Sequence, residues 1–254
     1  MDVLVPSGRE VIERVTTATG EWQLQRRDGQ FEIICNGVFL MASYNRESDR
    51  QLAALALQRV TGEGLRVLVG GLGIGYTAQA ALEDPRVHRV DVVELEPVVV
   101  RWHQTFFAEL CGHPLDEPRT TLIQNDLFDV PLQSDAYDAL LLDTDNGPRW
   151  LARDMNQRIY EPSTLQRFLS ALRPGGVIAF WSADPAPMFA ELLASLAGSV
   201  EAIECADEQA PGRATTAWVY LSRRSGSSPG PAGTSSRPGR GRRAGGTRRR
   251  GTSP

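Results

Sequence analysis

Val67-Leu68-Val69-Gly70-Gly71-Leu72-Gly73-Ile74-Gly75 carries an apolar, β-branched run straight into a cluster of glycines. Such a run suits a strand buried on both faces, and glycine lets the backbone turn at positive φ and approach a ligand closely. A helix is expected from about Gly75 to Leu82, so the segment reads as a strand, a tight turn and a helix whose first N–H groups are unpaired. Outward from this turn, short β-branched runs alternate with amphipathic segments. Strands are expected at Leu65–Val69, His88–Glu94, Thr120–Ile123, Ala139–Leu142, Val177–Trp181, Val200–Cys205 and Thr216–Leu221. Helices are expected over about Glu96–Leu110, Ser163–Leu172 and Ala186–Leu196, with Arg173-Pro174-Gly175-Gly176 as the punctuation between a helix and the next strand. The alternation predicts an α/β domain with a mostly parallel sheet and helices on both faces. Only Ala206–Thr215, including Pro211-Gly212, separates the last two strands; that is too short for a crossover helix, so they should pair antiparallel.

The region before Leu65 has a different grammar. Asp28-Gly29 and Asn36-Gly37 separate the runs Trp22–Arg27, Phe31–Cys35 and Val38–Ala42, and both dipeptides tolerate the positive φ of a hairpin turn. A small β-meander should therefore precede the α/β domain, joined to it by a helix over Glu47–Val60. The boundaries read as 1–60 for meander and linking helix, 61–222 for the α/β domain and 223–254 for a tail.

Charge divides the chain in the same way. All 27 basic residues are arginine; 18 of them face 31 acids in residues 1–222, a balance of −13, while the tail carries 9 and no acid, which gives −4 overall. The tail is built from Gly, Ser, Pro, Thr, Ala and Arg and has no large apolar side chain to offset ordering, so a disordered, solvated extension is expected, whose clustered arginines could meet nucleic acid or an acidic surface. No apolar run approaches the ~18 residues of a membrane span, and the opening residues lack the basic-then-apolar order of a leader, so the expected compartment is the cytoplasm. Cys35, Cys111 and Cys205 are widely spaced and, with three histidines, complete no metal-ligand pattern; buried thiols and no metal are expected.

The candidate chemistry lies at the strand ends. Glu94 closes the second strand about 20 residues beyond the glycines, where a carboxylate typically accepts hydrogen bonds from a ribose diol. Asp126-Leu127 follows the third strand and Asp143 closes the fourth. Carboxyl ends of adjacent parallel strands converge on one crevice, so these groups should meet the glycine turn there. A nicotinamide dinucleotide is a weaker fit, because Tyr76 stands where the third glycine belongs and only the permissive pattern Gly73-Ile74-Gly75-Tyr76-Thr77-Ala78 remains.

Taken together, these segments resemble the spermidine synthase (polyamine aminopropyltransferase) family, within the class I S-adenosylmethionine-dependent methyltransferase superfamily, over about residues 20–222. Gly71 to Thr77 looks like the family's glycine motif, Val92 to Pro97 like its ribose-binding strand end, Asp116 to Arg119 like the lead-in to the adenine-contacting Asp126-Leu127, and Tyr137 to Asp143 like the strand ending in its catalytic aspartate. Tyr160 to Ser163 and Leu172 to Val177 resemble the segments that follow. The resemblance implies a Rossmann-like class I methyltransferase fold, a seven-stranded mostly parallel sheet with a C-terminal antiparallel strand behind the meander. It implies donor binding by Gly71, Gly73, Gly75, Glu94, Asp126 and Leu127, and catalysis by Asp143. The acceptor half departs from the family. Ile74 replaces an aspartate that holds the donor's aminopropyl end, Asn146 replaces a second aspartate beside Asp145, and Glu47 to Leu52 has no counterpart of the family's Tyr, His and Glu cluster. Asp49, Asp145 and Asn146 are the available acceptor-side substitutes, and Ile74 removes a repulsion that S-adenosylmethionine's own carboxylate would feel.

The expected activity is transfer of an aminopropyl or methyl group from decarboxylated S-adenosylmethionine or S-adenosylmethionine to a small amine acceptor, by a chain able to form a homodimer. Two alternatives stand: a methyltransferase with a non-polyamine acceptor, and a non-catalytic nucleoside-binding protein acting through a partner.

Overall fold

A computed structural model describes residues 8–144, 146–149, 151, 154–210 and 213–225. Residues 226 onward, Pro211, Gly212 and Asp145 lie outside them.

An antiparallel sheet opens the chain: β1 (Arg9–Thr17), β2 (Gly20–Arg27), β3 (Gln30–Cys35) and β4 (Val38–Ala42), paired in that order. Asp28, Gly29, Asn36 and Gly37 all have positive φ, which is the backbone twist that two-residue hairpin turns require. β1 adds a strand to the three expected. Its sequence REVIERVTT mixes charge with β-branched residues, because it is an edge strand that pairs only with β2 and carries an Arg26–Glu10 ion pair across that ladder.

Helix α1 (Glu47–Gln58) leads into the second sheet. Its strands are β5 (Leu65–Gly70), β6 (Val87–Glu94), β7 (Thr120–Gln124), β8 (Tyr137–Leu142), β9 (Leu172–Ser182), β10 (Glu201–Ala210) and β11 (Arg213–Arg223), in the order β10-β11-β9-β8-β5-β6-β7. β5 to β9 run parallel, and β11 is inserted antiparallel between β9 and β10. The remaining helices are α2 (Tyr76–Glu83), α3 (Pro97–Trp102), α4 (Pro162–Ala171) and α5 (Pro187–Ala197).

β5 is central because every one of its positions except Arg66 is buried. Val67 and Val69 join Leu52, Ala56, Ala78 and Ala81 of α1 and α2 on one face, while Leu68 joins Leu165, Phe168 and Leu193 of α4 and α5 on the other. A third core binds the two sheets together: Trp22, Leu24, Ile33 and Cys35 of the meander pack on Ile74, Tyr76, Val98 and Trp102.

Three elements differ from expectation. The helix expected over Glu96–Leu110 is divided, with α3 running into a π-helical turn (His103–Phe107) and then a 3-10 turn (Ala108–Leu110). Arg173 to Gly176 lies inside β9 and links nothing, because Leu172 already pairs with Tyr137 and a bulge absorbs the Pro-Gly-Gly sequence. The last two strands are longer than their apolar runs, since backbone pairing continues through polar residues to Ala210.

β11 also carries order past Ser222. Arg223 pairs with Val177, the Arg224 N–H donates to the Gly176 carbonyl at 2.9 Å, and the Arg224 side chain pairs with Asp135. Relative to a chain ended after Ser225, one ended after Ser222 should melt about 2–8 °C lower in a calorimetric scan, for a loss of about 1–2 kcal/mol of ladder hydrogen bonds.

Candidate active site

The parallel register brings the carboxyl ends of β5, β6 and β8 level. Gly70 pairs with Val93 and Leu142, the Gly71 N–H donates to the Val93 carbonyl at 2.8 Å, and the Asp143 N–H donates to the Gly70 carbonyl at 2.8 Å. Gly71 has φ +94, and a β-carbon there would lie 2.0 Å from the Asp143 carbonyl oxygen, so no side chain fits. Gly73 has φ +52, and a β-carbon there would meet Met41 of the meander. Gly71 and Gly73 line a cavity of about 840 Å³ between the two sheets. Gly75 is placed otherwise: it caps α2 at φ +107 and turns toward His103 and Cys111 in the interior.

Glu94 secures this loop. Its Oε2 accepts the Leu72 N–H at 2.9 Å and its Oε1 accepts the Glu96 N–H at 2.8 Å. Burial pushes its carboxyl above the usual range, opposed by those amide hydrogen bonds. Each carboxylate oxygen has a second lone pair, so the group can hold the loop and still accept from a hydroxyl in the cavity it lines. Asp126, just past β7, also lines the cavity and accepts the Phe128 N–H at 2.9 Å through Oδ1; Leu127 is buried over Gly70.

Across the cavity stands a group of buried aspartates, while Arg9, Arg14 and Arg27 of the meander also line it. Asp143 Oδ2 accepts the Thr77 hydroxyl at 2.7 Å, and burial, together with the charge of Asp207, raises its pKa to about 6 against the lowering effect of that hydroxyl. Asp49, in the first turn of α1, is buried, and its Oδ2 has no hydrogen-bond partner. Burial and then the charges of Asp143 and Asp207 push its carboxyl well up. Asp207, on β10, accepts the Ser48 hydroxyl at 2.6 Å, and that oxygen in turn accepts the Trp181 indole N–H at 2.9 Å. All three aspartates line the one cavity, as does Tyr44, whose hydroxyl donates to Glu32. Asn146 lines it too and donates to the Phe39 carbonyl at 2.8 Å, tying the loop after β8 to the meander.

The structure thus brings Gly71, Gly73, Glu94, Asp126, Leu127, Asp143, Asn146 and Asp49 to one cavity. Ile74 does not reach it. Its side chain is fully buried in the third core, and the position presents no carboxylate to the cavity. Asp207, Thr77 and Trp181 were not expected here. Asp207 had a sequence signal, since Ile203, Cys205 and Asp207 share one face of β10, but the apolar run ends at Cys205 and the polar residues after it read as a loop. Among the described residues, no three His, Cys, Asp or Glu side chains are grouped to hold a metal ion, and no helix is long and apolar enough to cross a membrane.

Fold and site define a doubly wound α/β protein with a crevice at its strand ends, into which a cluster of buried aspartates faces. Residues 49–194 match the spermine/spermidine synthase domain, more than half of the chain, and the protein belongs to that family. It is 35% identical over 115 residues to putrescine N-methyltransferase 2 of Nicotiana tabacum, covering 44% of this chain and 31% of that one. It is 32% identical over 124 residues to polyamine aminopropyltransferase of Prochlorococcus marinus (strain MIT 9313), covering 47% and 41%. The matches therefore span about a third of the length of these curated relatives. Among solved structures, spermidine synthase in complex with the transition-state analogue AdoDATO superposes with TM-score 0.74 at 13% identity, over 85% of this chain and 74% of that one. Spermidine synthase from Thermotoga maritima gives 0.71 at 13% identity, over 85% and 73%. These neighbours bear out the Rossmann-like fold with its preceding meander.

The acids carry a stability cost with a definite sign. Asp49 and Asp143 titrate higher folded than unfolded, so between about pH 4 and 6 the folded chain binds more protons and stability falls as pH rises. Asp49→Asn should therefore raise stability by about 1–2 kcal/mol above pH 7 and by much less near pH 4, measured by denaturant titration at both pH values.

Proposed function

We propose that this protein transfers an alkyl group from a sulfonium nucleoside, S-adenosylmethionine or its decarboxylated form, to the nitrogen of a small cationic amine. One observation carries the reading. Asp143 stands at the junction of the two halves of the cavity, against the glycine loop on one side and facing Asp49 and Asp207 on the other. The relatives support it, because methyl and aminopropyl transferases of polyamines occur together among them.

The donor-side groups suit a nucleoside. Glu94 would accept the ribose hydroxyls, Asp126 and Leu127 would meet the base, and Gly71 and Gly73 leave room for close approach of the chain between them. When bound, the donor supplies a carbon made electrophilic by its positive sulfur. The acceptor enters as an ammonium ion, which Asp49 and Asp207 attract and which relieves the unpartnered Asp49 oxygen. A neutral nitrogen is required for attack, and Asp143, ionised above about pH 6, takes the proton. The nitrogen lone pair forms the new C–N bond as the C–S bond breaks, and the electron pair left on sulfur cancels its charge.

Asp143→Asn should leave donor affinity within about threefold in calorimetric titration and lower turnover by about 10²–10⁴, the usual contribution of a general base. In the unaltered protein the rate should rise with pH through about 6, as Asp143 loses its proton, and the Asn variant should lack that step. Titration with S-adenosylmethionine and decarboxylated S-adenosylmethionine, then assay with a diamine and a monoamine, identifies donor and acceptor. Failure of the unaltered chain to bind either donor would refute the reading.

A further inference from the structure

His103 lies beneath the glycine loop and has no part in the chemistry above. It opens the π-helical turn after α3 and is buried. Its Nδ1 is 2.9 Å from the Ile74 carbonyl oxygen. A carbonyl only accepts, so in the neutral ring Nδ1 carries the hydrogen and Nε2 is left as an acceptor. Nε2 is buried with no hydrogen-bond partner, a cost tolerated by a group held for its other nitrogen. Cys111 Sγ donates to the same carbonyl at 3.1 Å.

The ring also sets the next residue. A β-carbon on Gly75 would stand 2.8 Å from His103 Cε1 and 3.1 Å from Cys111 Sγ. His103 thus holds Ile74 from below and fills the space that Gly75 leaves as it turns, at φ +107, into α2. Two residues later Thr77 donates to Asp143. A π turn is rare and often marks a functional position, and this one falls where a side chain of α3's continuation meets the loop. Burial holds the ring's pKa below the usual histidine value, which keeps the donor at Nδ1 and the ring uncharged.

We propose that neutral His103 is a positioning residue for the donor loop, fixing Ile74 to Thr77 so that the loop and Asp143 meet the sulfonium end of the donor. The inference rests on the donor reading above. It separates two ends of the ligand, because the groups assigned to adenosine, Glu94, Asp126 and Leu127, stand on β6 and after β7, and Glu94 holds the loop at Leu72, before the Ile74 to Thr77 stretch that His103 contacts.

The test compares His103→Leu, which keeps bulk and loses the donor, with His103→Asn, whose amide N–H can replace Nδ1–H. The full-length chain is titrated with S-adenosylmethionine, decarboxylated S-adenosylmethionine and adenosine, and amide hydrogen exchange across Gly73 to Thr77 is followed without ligand. The Leu variant should bind the donor about tenfold more weakly, the effect of one lost hydrogen bond, with adenosine changed by less than about threefold. Its loop amides should exchange faster, and the Asn variant should restore both donor affinity and protection. Unchanged donor affinity in the Leu variant, equal weakening of donor and adenosine, or no rescue by Asn would overturn the proposal. If the unaltered chain binds neither donor, the donor reading falls on that result alone. The exchange comparison then decides whether His103 sets the loop, and unchanged exchange overturns that as well.

Discussion

The carboxylate of Glu94 holds the glycine loop against the strand ends, and the rest of the site is placed from that clamp. One side chain accepts the amides of Leu72 and Glu96, so the backbone before and after the crevice is tied to the end of β6. The loop can then lie flat on β8, because Gly71 presents no β-carbon to the Asp143 carbonyl. With the loop fixed, Thr77 enters α2 where its hydroxyl reaches Asp143. The same carboxylate is therefore part of the scaffold and part of the donor-side lining, and its structural contribution does not depend on a ligand.

The opposite wall carries a stability cost. Asp49, Asp143 and Asp207 come from α1, the end of β8 and β10, and burial together with one another's charge pushes the carboxyls of Asp49 and Asp143 up. Ser48 and Thr77 each supply one hydroxyl, to Asp207 and Asp143 respectively, while an Asp49 oxygen stays unpartnered. An uncompensated buried carboxylate is costly, and a bound cation offsets that cost in proportion to its affinity. On the proposed function, the wall is least favourable when no cation faces it. The third core fixes the distance between the walls, by packing the meander on Ile74, Tyr76 and Trp102.

The crevice at the ends of β5 to β8 was legible because its signals are local. A β-branched run, a glycine turn and an acid at a strand end each follow from backbone requirements that operate within a few residues, and parallel strands necessarily bring their carboxyl ends together. The acceptor half was only partly legible. Asn146 was named from its alignment with a family position and Asp49 only as an available acid where the family's cluster has no counterpart, whereas Asp207 sits in a polar stretch that becomes strand only through pairing with β11. Ile74 shows a different limit: its position in the motif was read for the charge it lacks, and only the fold shows that its side chain turns into the core. Motif position locates the backbone and leaves the direction of the side chain open.

By itself the sequence determined the α/β order, the hairpin turns at Asp28-Gly29 and Asn36-Gly37, and the convergence of Glu94, Asp126 and Asp143 on the glycine turn. These depend on periodicity, on positive φ and on strand direction, all of which neighbouring residues specify. Tertiary structure alone decided that β1 adds a fourth strand to the meander, that the helix after Pro97 widens at His103, and that Asp207 faces Asp143 and Asp49. Those features arise from contacts between segments far apart in the chain, where cross-strand pairing, burial and charge proximity act, and no local pattern encodes which segment will supply the partner.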